Sequence, residues 1–244
     1  MEEKYRILNR DAIKYIAVAA MLLNHISTVF MKPGTVLGEL FLDIGYFTAI
    51  TMCYFLVEGS QHTRSKKKYA ERLAVFAAVS EIPYCLAFTE EGVIEFYGMN
   101  MIFTLLLCFF ILLAEERIQS IFLRNMIIAG LIFLSCFSDW AVLAPVFTLL
   151  FSWAKGSEEK LKKAFLTAGI VFGLMNLAGG SGRFPATVNI LYALASVAGI
   201  FFSGIVIICL YNGKRTERGK NFSKWFFYWF YPAHLLLLGL IRIL

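Results

Sequence analysis

Charge is scarce in this sequence. Asp, Glu, Lys and Arg make up 16% of its 244 residues, and three histidines are the whole imidazole complement. With 59% apolar residues and a mean hydropathy of +0.69, the chain lacks the polar surface of a soluble monomer, and that class is excluded. Long linkers, low-complexity tracts and a clean internal repeat are also missing, so a single domain over residues 1–244 is expected. The five cysteines form no CxxC and no Cys/His metal spacing; they read as small apolar packers, and no metal is expected. Gly179, Gly180, Ser181 and Gly182 are not followed by Lys-Ser/Thr, so they read as an outer turn and not as a phosphate loop. No small-x-small cleavage site follows the first apolar run, and that run is expected to stay as a span.

What is present is a series of apolar runs, rich in aromatics (24 Phe, 11 Tyr, 4 Trp). Runs long enough to cross or nearly cross a bilayer fall at 12–31, 36–58, 70–88, 98–114, 121–137, 139–154, 163–178, 188–211 and 224–244. They predict an all-α, polytopic transmembrane helical bundle of about nine spans. The fifth and sixth runs are short and abut at Ser138 and Asp139, so they fit a re-entrant pair or a single helical hairpin as well as two spans. With the N-terminus inside, twenty of the 23 Lys and Arg residues fall in cytosolic segments and only Lys32, Arg183 and Arg242 lie outside. The positive-inside rule therefore predicts N-in, C-out. The net charge of +6 serves to orient helices, and nucleic acid is not an expected partner.

The informative residues are those that are costly in hydrocarbon. They are His25 beside Asn24 in the first span, Asp43 in the second, Glu81 in the third and His234 in the last. Counted from the inner helix ends at ~1.5 Å per residue, Glu81 and His234 lie roughly 15 Å deep and His25 roughly 20 Å, a common slab near the midplane. Two imidazoles and a carboxylate at one depth suit acid/base chemistry or a proton path; buried polar glue between helices is the plainer alternative. Pro83, two residues after Glu81, predicts a break in that helix.

Lys14 precedes His25 by eleven residues, and eleven steps of ~100° return to within roughly 20° of the starting direction. A cation at the cytosolic mouth and an imidazole some 16 Å deeper on one stripe fit a long anionic substrate with its reactive end buried; snorkelling of Lys14 is the alternative. The inner segment with Glu58, Gly59, Ser60, Gln61, His62, Thr63, Arg64, Ser65, Lys66, Lys67 and Lys68 fits anionic lipid headgroups or a nucleotide phosphate equally well.

Several of these residues recur as motifs. Lys14-Tyr-Ile-Ala through Leu23-Asn24-His25-Ile26, Glu58-Gly59 with His62-Thr63-Arg64 and Lys67-Lys68-Tyr69, Ser80-Glu81-Ile82-Pro83, Asn100 with Phe103-Thr104, and Tyr228-Trp-Phe-Tyr-Pro-Ala-His234 together resemble the TraX family over most of the chain. Those are polytopic proteins associated with N-terminal acetylation of conjugative pilin. Lys14, ten residues and His25 also look like the basic-x10-His pattern of the wider transmembrane acyltransferases, which usually begin with Arg. The resemblance implies acetyl-CoA or another acyl-CoA as cytosolic donor, a His at the reaction centre and residence in the bacterial cytoplasmic membrane. One departure is Asn24, where the family commonly has Asp; a carboxylate orienter for His25 would have to come from Glu81 or Asp43.

The function expected is therefore an integral membrane acyltransferase acting on an amine or hydroxyl, such as a pilin-like N-terminus or another envelope substrate. His25, Glu81, His234 and Asn24 are the catalytic candidates, with His25 as base or as covalent acyl carrier. Lys14, Arg64, Lys67, His62 and Glu58 are the candidates for the acyl-CoA contact, and Asn100, Tyr231 and Asp43 for the acceptor, Asn100 or Tyr231 donating to the developing oxyanion. Membrane lipids are expected partners, and a homo-oligomer is compatible with the sequence. The alternatives are a proton-coupled transporter relaying protons through the same His and Glu residues, and an assembly protein in which they merely pack.

Overall fold

A computed structural model describes residues 6–180, 185–217 and 219–244. Each apolar run becomes a helix: α1 (Arg10–Phe30), α2 (Val36–His62), α3 (Lys66–Phe88), α4 (Met101–Arg117), α5 (Ile121–Ser135), α6 (Leu143–Trp153), α7 (Glu158–Gly180), α8 (Ala186–Ile205) and α9 (Lys220–Ile243). Among the described residues there is no strand, only two isolated bridges, Leu8 with Tyr211 and Met99 with Ser138. Helix starts follow the expected side-chain chemistry. Asn9, Ser65, Asn100 and Ser120 each accept from a backbone N–H in the first turn of α1, α3, α4 and α5.

Among the described residues, five helices are long and apolar enough to cross a membrane: α1, α2, α7, α8 with its continuation to Leu210, and α9. At ~1.5 Å per residue, α5 is about 22 Å long and α6 about 16 Å, both short of a ~30 Å hydrocarbon core. Three sequence expectations change. Helix α3 runs unbroken through Pro83. Gly179 and Gly180 continue α7 instead of turning, while Ser181 and Gly182 lie outside the described residues. Asn100, assigned to the interior of a span, is the cap that starts α4.

The chain forms two compact units. Unit 1 comprises Met1–Met52 and Ala154–Phe227. In it α1 and α2 run antiparallel, tied by Ser27 Oγ to the Gly38 carbonyl (2.8 Å), Asn24 Nδ2 to the Leu42 carbonyl (3.1 Å) and Thr48 Oγ1 to the Ala17 carbonyl (2.6 Å). Glycines permit the approach. A Cβ on Gly45 would fall 2.1 Å from the Cβ of Asn24, and one on Gly199 of α8 only 2.3 Å from the Asp43 carbonyl oxygen. Helix α8 ends in a π-helical turn, Val206–Leu210, and Leu8 pairs with the backbone just beyond it.

Unit 2 comprises Cys53–Trp153 and Tyr228–Leu244. Lys66 at the start of α3 pairs with Glu116 at the end of α4 (2.9 Å), and Ser152 at the end of α6 donates to Glu115. At the other end, Arg242 of α9 donates to the carbonyls of Leu86 and Val93 (3.0 and 2.8 Å). Within each unit these contacts join helix ends that an alternating threading of the chain puts on one side.

Candidate functional site

The costly residues divide between the units. Unit 1 holds His25, Asn24, Asp43 and Lys14; unit 2 holds Glu81, His234, Asn100, Tyr231, Glu58, His62, Arg64 and Lys67. Counted along its own helix, His25 lies about 22 Å from the start of α1, Glu81 about 22 Å from the start of α3 and His234 about 21 Å from the start of α9. The three distances along the separate helices are alike. Each residue falls in the far half of its helix, however, and not at its middle, because α1, α3 and α9 begin two to four residues earlier than the apolar runs suggest.

In unit 1 the His25 ring is buried, at 8% exposure, on α1. Its neighbour Asn24 is fixed by the bond to Leu42 and by the absent side chain of Gly45. An aspartate at position 24 would lack that donor and would face a carbonyl, which accounts physically for the amide in this chain. Asp43 is half-buried on α2. Lys14 is half-buried, its ammonium 5.4 Å from the centre of the Phe227 ring, a cation–π distance that keeps it on the stripe with His25.

Unit 2 contains the more fully built constellation. The chain leaves α3 at Phe88 and turns back into the helical layer, so that Asn100 lies level with Ala77 and Glu81, about 10–16 Å short of the end of α3. Asn100 is fully buried. Its Oδ1 accepts from the N–H groups of Ile102 and Phe103, its Nδ2 donates to the Ala77 carbonyl (2.8 Å) and to Glu81 Oε2 (2.6 Å), and its own N–H also reaches Oε2 (3.2 Å). Two donors facing Oδ1 fix which way the amide points. One Nδ2 hydrogen and the backbone N–H thereby orient Glu81, and the other Nδ2 hydrogen holds the α3 backbone at Ala77. The next N–H, of Met101, donates to the buried Tyr231 hydroxyl (3.2 Å), and a phenol that accepts remains a donor in its own right.

Irregular backbone at such depth is tolerated only inside protein or along a cavity. Here it is paired: Met99 N–H donates to Phe137 O and Asp139 N–H to Met99 O, while Thr104 Oγ1 donates to the Asp139 carbonyl (2.6 Å). The turn from α5 to α6 carries Trp140 and Val142 at φ 56° and 60°. The left-handed region is costly for L-residues and most of all for a β-branched one, and such strain gathers at functional sites. Tyr84 packs edge-on against Tyr97, with ring centres 6.0 Å apart. His234 donates from Nδ1 to the Phe230 carbonyl (2.7 Å), and Phe230 stacks on it at 4.8 Å.

The basic segment is mainly surface. Arg64 and His62 are exposed, His62 with Nδ1 2.9 Å from the Glu58 carbonyl; Lys67 is 87% exposed and lies 3.9 Å from Glu71; Glu58 is half-buried. The sequence missed Asp139, Ser138 and Tyr84, and gave Thr104 only as part of a motif. Ser138 and Asp139 between two runs too short to cross were the available signal, read only as a boundary.

Comparison with known proteins adds context. The family described as TraX protein matches residues 9–242. A probable fimbrial assembly protein, FimC of serogroup H1 from Dichelobacter nodosus, is 30% identical over 232 residues, covering 93% of this chain and 92% of the relative. No solved structure matches the chain.

Proposed function

The chain belongs to the TraX family, and from that premise we propose that it is an integral membrane acyltransferase of the bacterial cytoplasmic membrane. It passes acetyl, or a related acyl group, from acyl-CoA to an amine or hydroxyl. The observation that carries this reading is the buried His25 on α1, with Lys14 on the same stripe about 16 Å nearer the helix start. A buried imidazole can take a proton at the reaction centre, and a cation one CoA arm away can hold phosphate.

The acceptor's lone pair attacks the thioester carbonyl, its proton passes to His25, and the CoA thiolate leaves and is protonated. The acceptor gains the acyl group as an amide or ester. Within unit 2, exposed Lys67 and Arg64 are cations of the kind that hold phosphate, with His62 and Glu58 bordering them. The name of the fimbrial relative favours an envelope acceptor, a pilin-like N-terminus first among them.

The test is release of thiol from acetyl-CoA by the purified protein with amine and hydroxyl acceptors. Acceptor-dependent turnover is expected, falling at least 100-fold in His25→Ala. Absence of turnover and of any acyl adduct, or turnover indifferent to His25→Ala, would overturn the reading. Uptake coupled to a pH gradient without thiol release would support a transporter instead.

A further inference from the structure

Beyond Phe88 the chain returns along α3 as an extended segment. Arg242 donates to the carbonyls of Leu86 (3.0 Å), Gly92 (3.5 Å) and Val93 (2.8 Å), the Tyr97 ring lies against Tyr84 and Phe88, and Asn100 reaches Ala77. The N–H of Glu95 donates to Thr89 Oγ1 (2.9 Å), and its carbonyl accepts from the same hydroxyl (3.3 Å). Met99 likewise turns both its N–H and its carbonyl to the backbone of Phe137 and Asp139. A residue whose N–H and C=O point the same way is in a strand conformation, and its chain neighbours present theirs on the opposite edge. Ile94 and Phe96 lie on that opposite edge. Among the described residues, neither has a hydrogen-bond partner for its N–H or its carbonyl.

The edge is bare in other respects too. Val93, Ile94, Phe96 and Tyr97 are all exposed, Phe96 at 72%. Proteins blunt strand edges with lysine, proline or a covering element, and residues 93–99 contain neither lysine nor proline. Hydrocarbon cannot satisfy such backbone groups, whereas another chain can, by adding its own backbone as a strand. Charge indicates which chain. Glu90, Glu91 and Glu95 border the edge, are exposed, and form no ion pair among the described residues. A second copy paired along the same edge would bring two such sets of carboxylates together, and like charges so placed are costly. A segment carrying lysine or arginine would neutralise them.

We propose that residues 93–97 of unit 2 form a docking edge for an extended, basic segment of another protein. The segment adds as a strand through the N–H and C=O groups of Ile94 and Phe96, and Glu90, Glu91 and Glu95 select its charge. The contact is made with the interior of a partner chain, requires no free terminus, and is independent of the acyltransferase reading.

The experiment uses the full chain in nanodiscs of zwitterionic lipid and an eight-residue peptide of alternating valine and lysine, blocked at both ends. Two counterparts serve for comparison, one with glutamate in place of lysine and one N-methylated on its backbone amides. The basic peptide is expected to bind at least tenfold more tightly than either, and to slow hydrogen exchange at the Ile94 and Phe96 amides. Phe96→Pro deletes a donor that has no partner within the chain; it is expected to abolish the preference over the methylated peptide, while Phe96→Ala keeps it. Glu90→Gln, Glu91→Gln and Glu95→Gln combined are expected to abolish the preference over the glutamate peptide. Should Phe96→Pro unfold, the peptide comparisons and the exchange measured on the unaltered chain decide alone. Equal binding of the three peptides, or exchange at Ile94 and Phe96 unchanged by saturating basic peptide, overturns the proposal. A dimeric mass in detergent with these two amides already protected also overturns it, and assigns the edge to a second copy.

Discussion

Asn100 uses all four hydrogen-bonding positions of its side chain, two to start α4 and two to hold α3 and Glu81. Replacing it by alanine removes the cap and leaves the Glu81 carboxylate short of its closest donor. The expected cost is about 3 kcal/mol, about 1 from the cap and the remainder from acceptors left unsatisfied. A folded-state stability change under 1 kcal/mol, measured by unfolding in mixed micelles, would show that the amide is not a keystone of unit 2. At this scale the sequence was legible wherever a residue was expensive. His25, Glu81 and His234 stand out because a polar group in an apolar run needs a reason. Asn100 was legible as a motif residue, but its role as a cap was hidden inside an apolar run that continues on both sides. Tyr84 and Asp139 gave little signal, because tyrosine is common here and an acidic residue between two runs looks like an ordinary boundary.

Among elements, the α5–α6 turn is the least ordinary. Val142 holds a φ of 60°, a conformation that glycine adopts without the Cβ penalty. Val142→Gly is expected to stabilise the protein by about 1 kcal/mol, a rise in Tm of roughly 2–4 °C for a chain of this size. If the strain serves the site, turnover will fall as stability rises; an unchanged or lower Tm would show that the valine side chain contributes more than its backbone costs. Apolar periodicity located every helix, because length and hydropathy are local properties. It misplaced the ends of α3 and α7, whose charged first turns lie outside any apolar window yet continue the hydrogen-bond ladder. It could not place the return of residues 89–100 into the helical layer, which depends on pairing with residues 137–139 far along the chain.

For the whole molecule, the distribution of cations makes a directional statement. With Cys136 replaced by serine, Glu91→Cys is expected to react with a membrane-impermeant thiol reagent in intact cells, and Lys67→Cys only after the membrane is permeabilised. The opposite pattern would invert the orientation read from the 23 basic residues. The division of the chain into units bears on biogenesis as well. Unit 2 is closed by Tyr228–Leu244, which contains Tyr231 and His234, while the residues between Trp153 and Tyr228 belong to unit 1. Translation therefore delivers Glu81 and Asn100 early and their aromatic partners last, after more than seventy intervening residues. The constellation in unit 2 is therefore incomplete until Tyr228–Leu244 has been made, and a chain cut just before Tyr231 loses both Tyr231 and His234 while keeping Glu81 and Asn100.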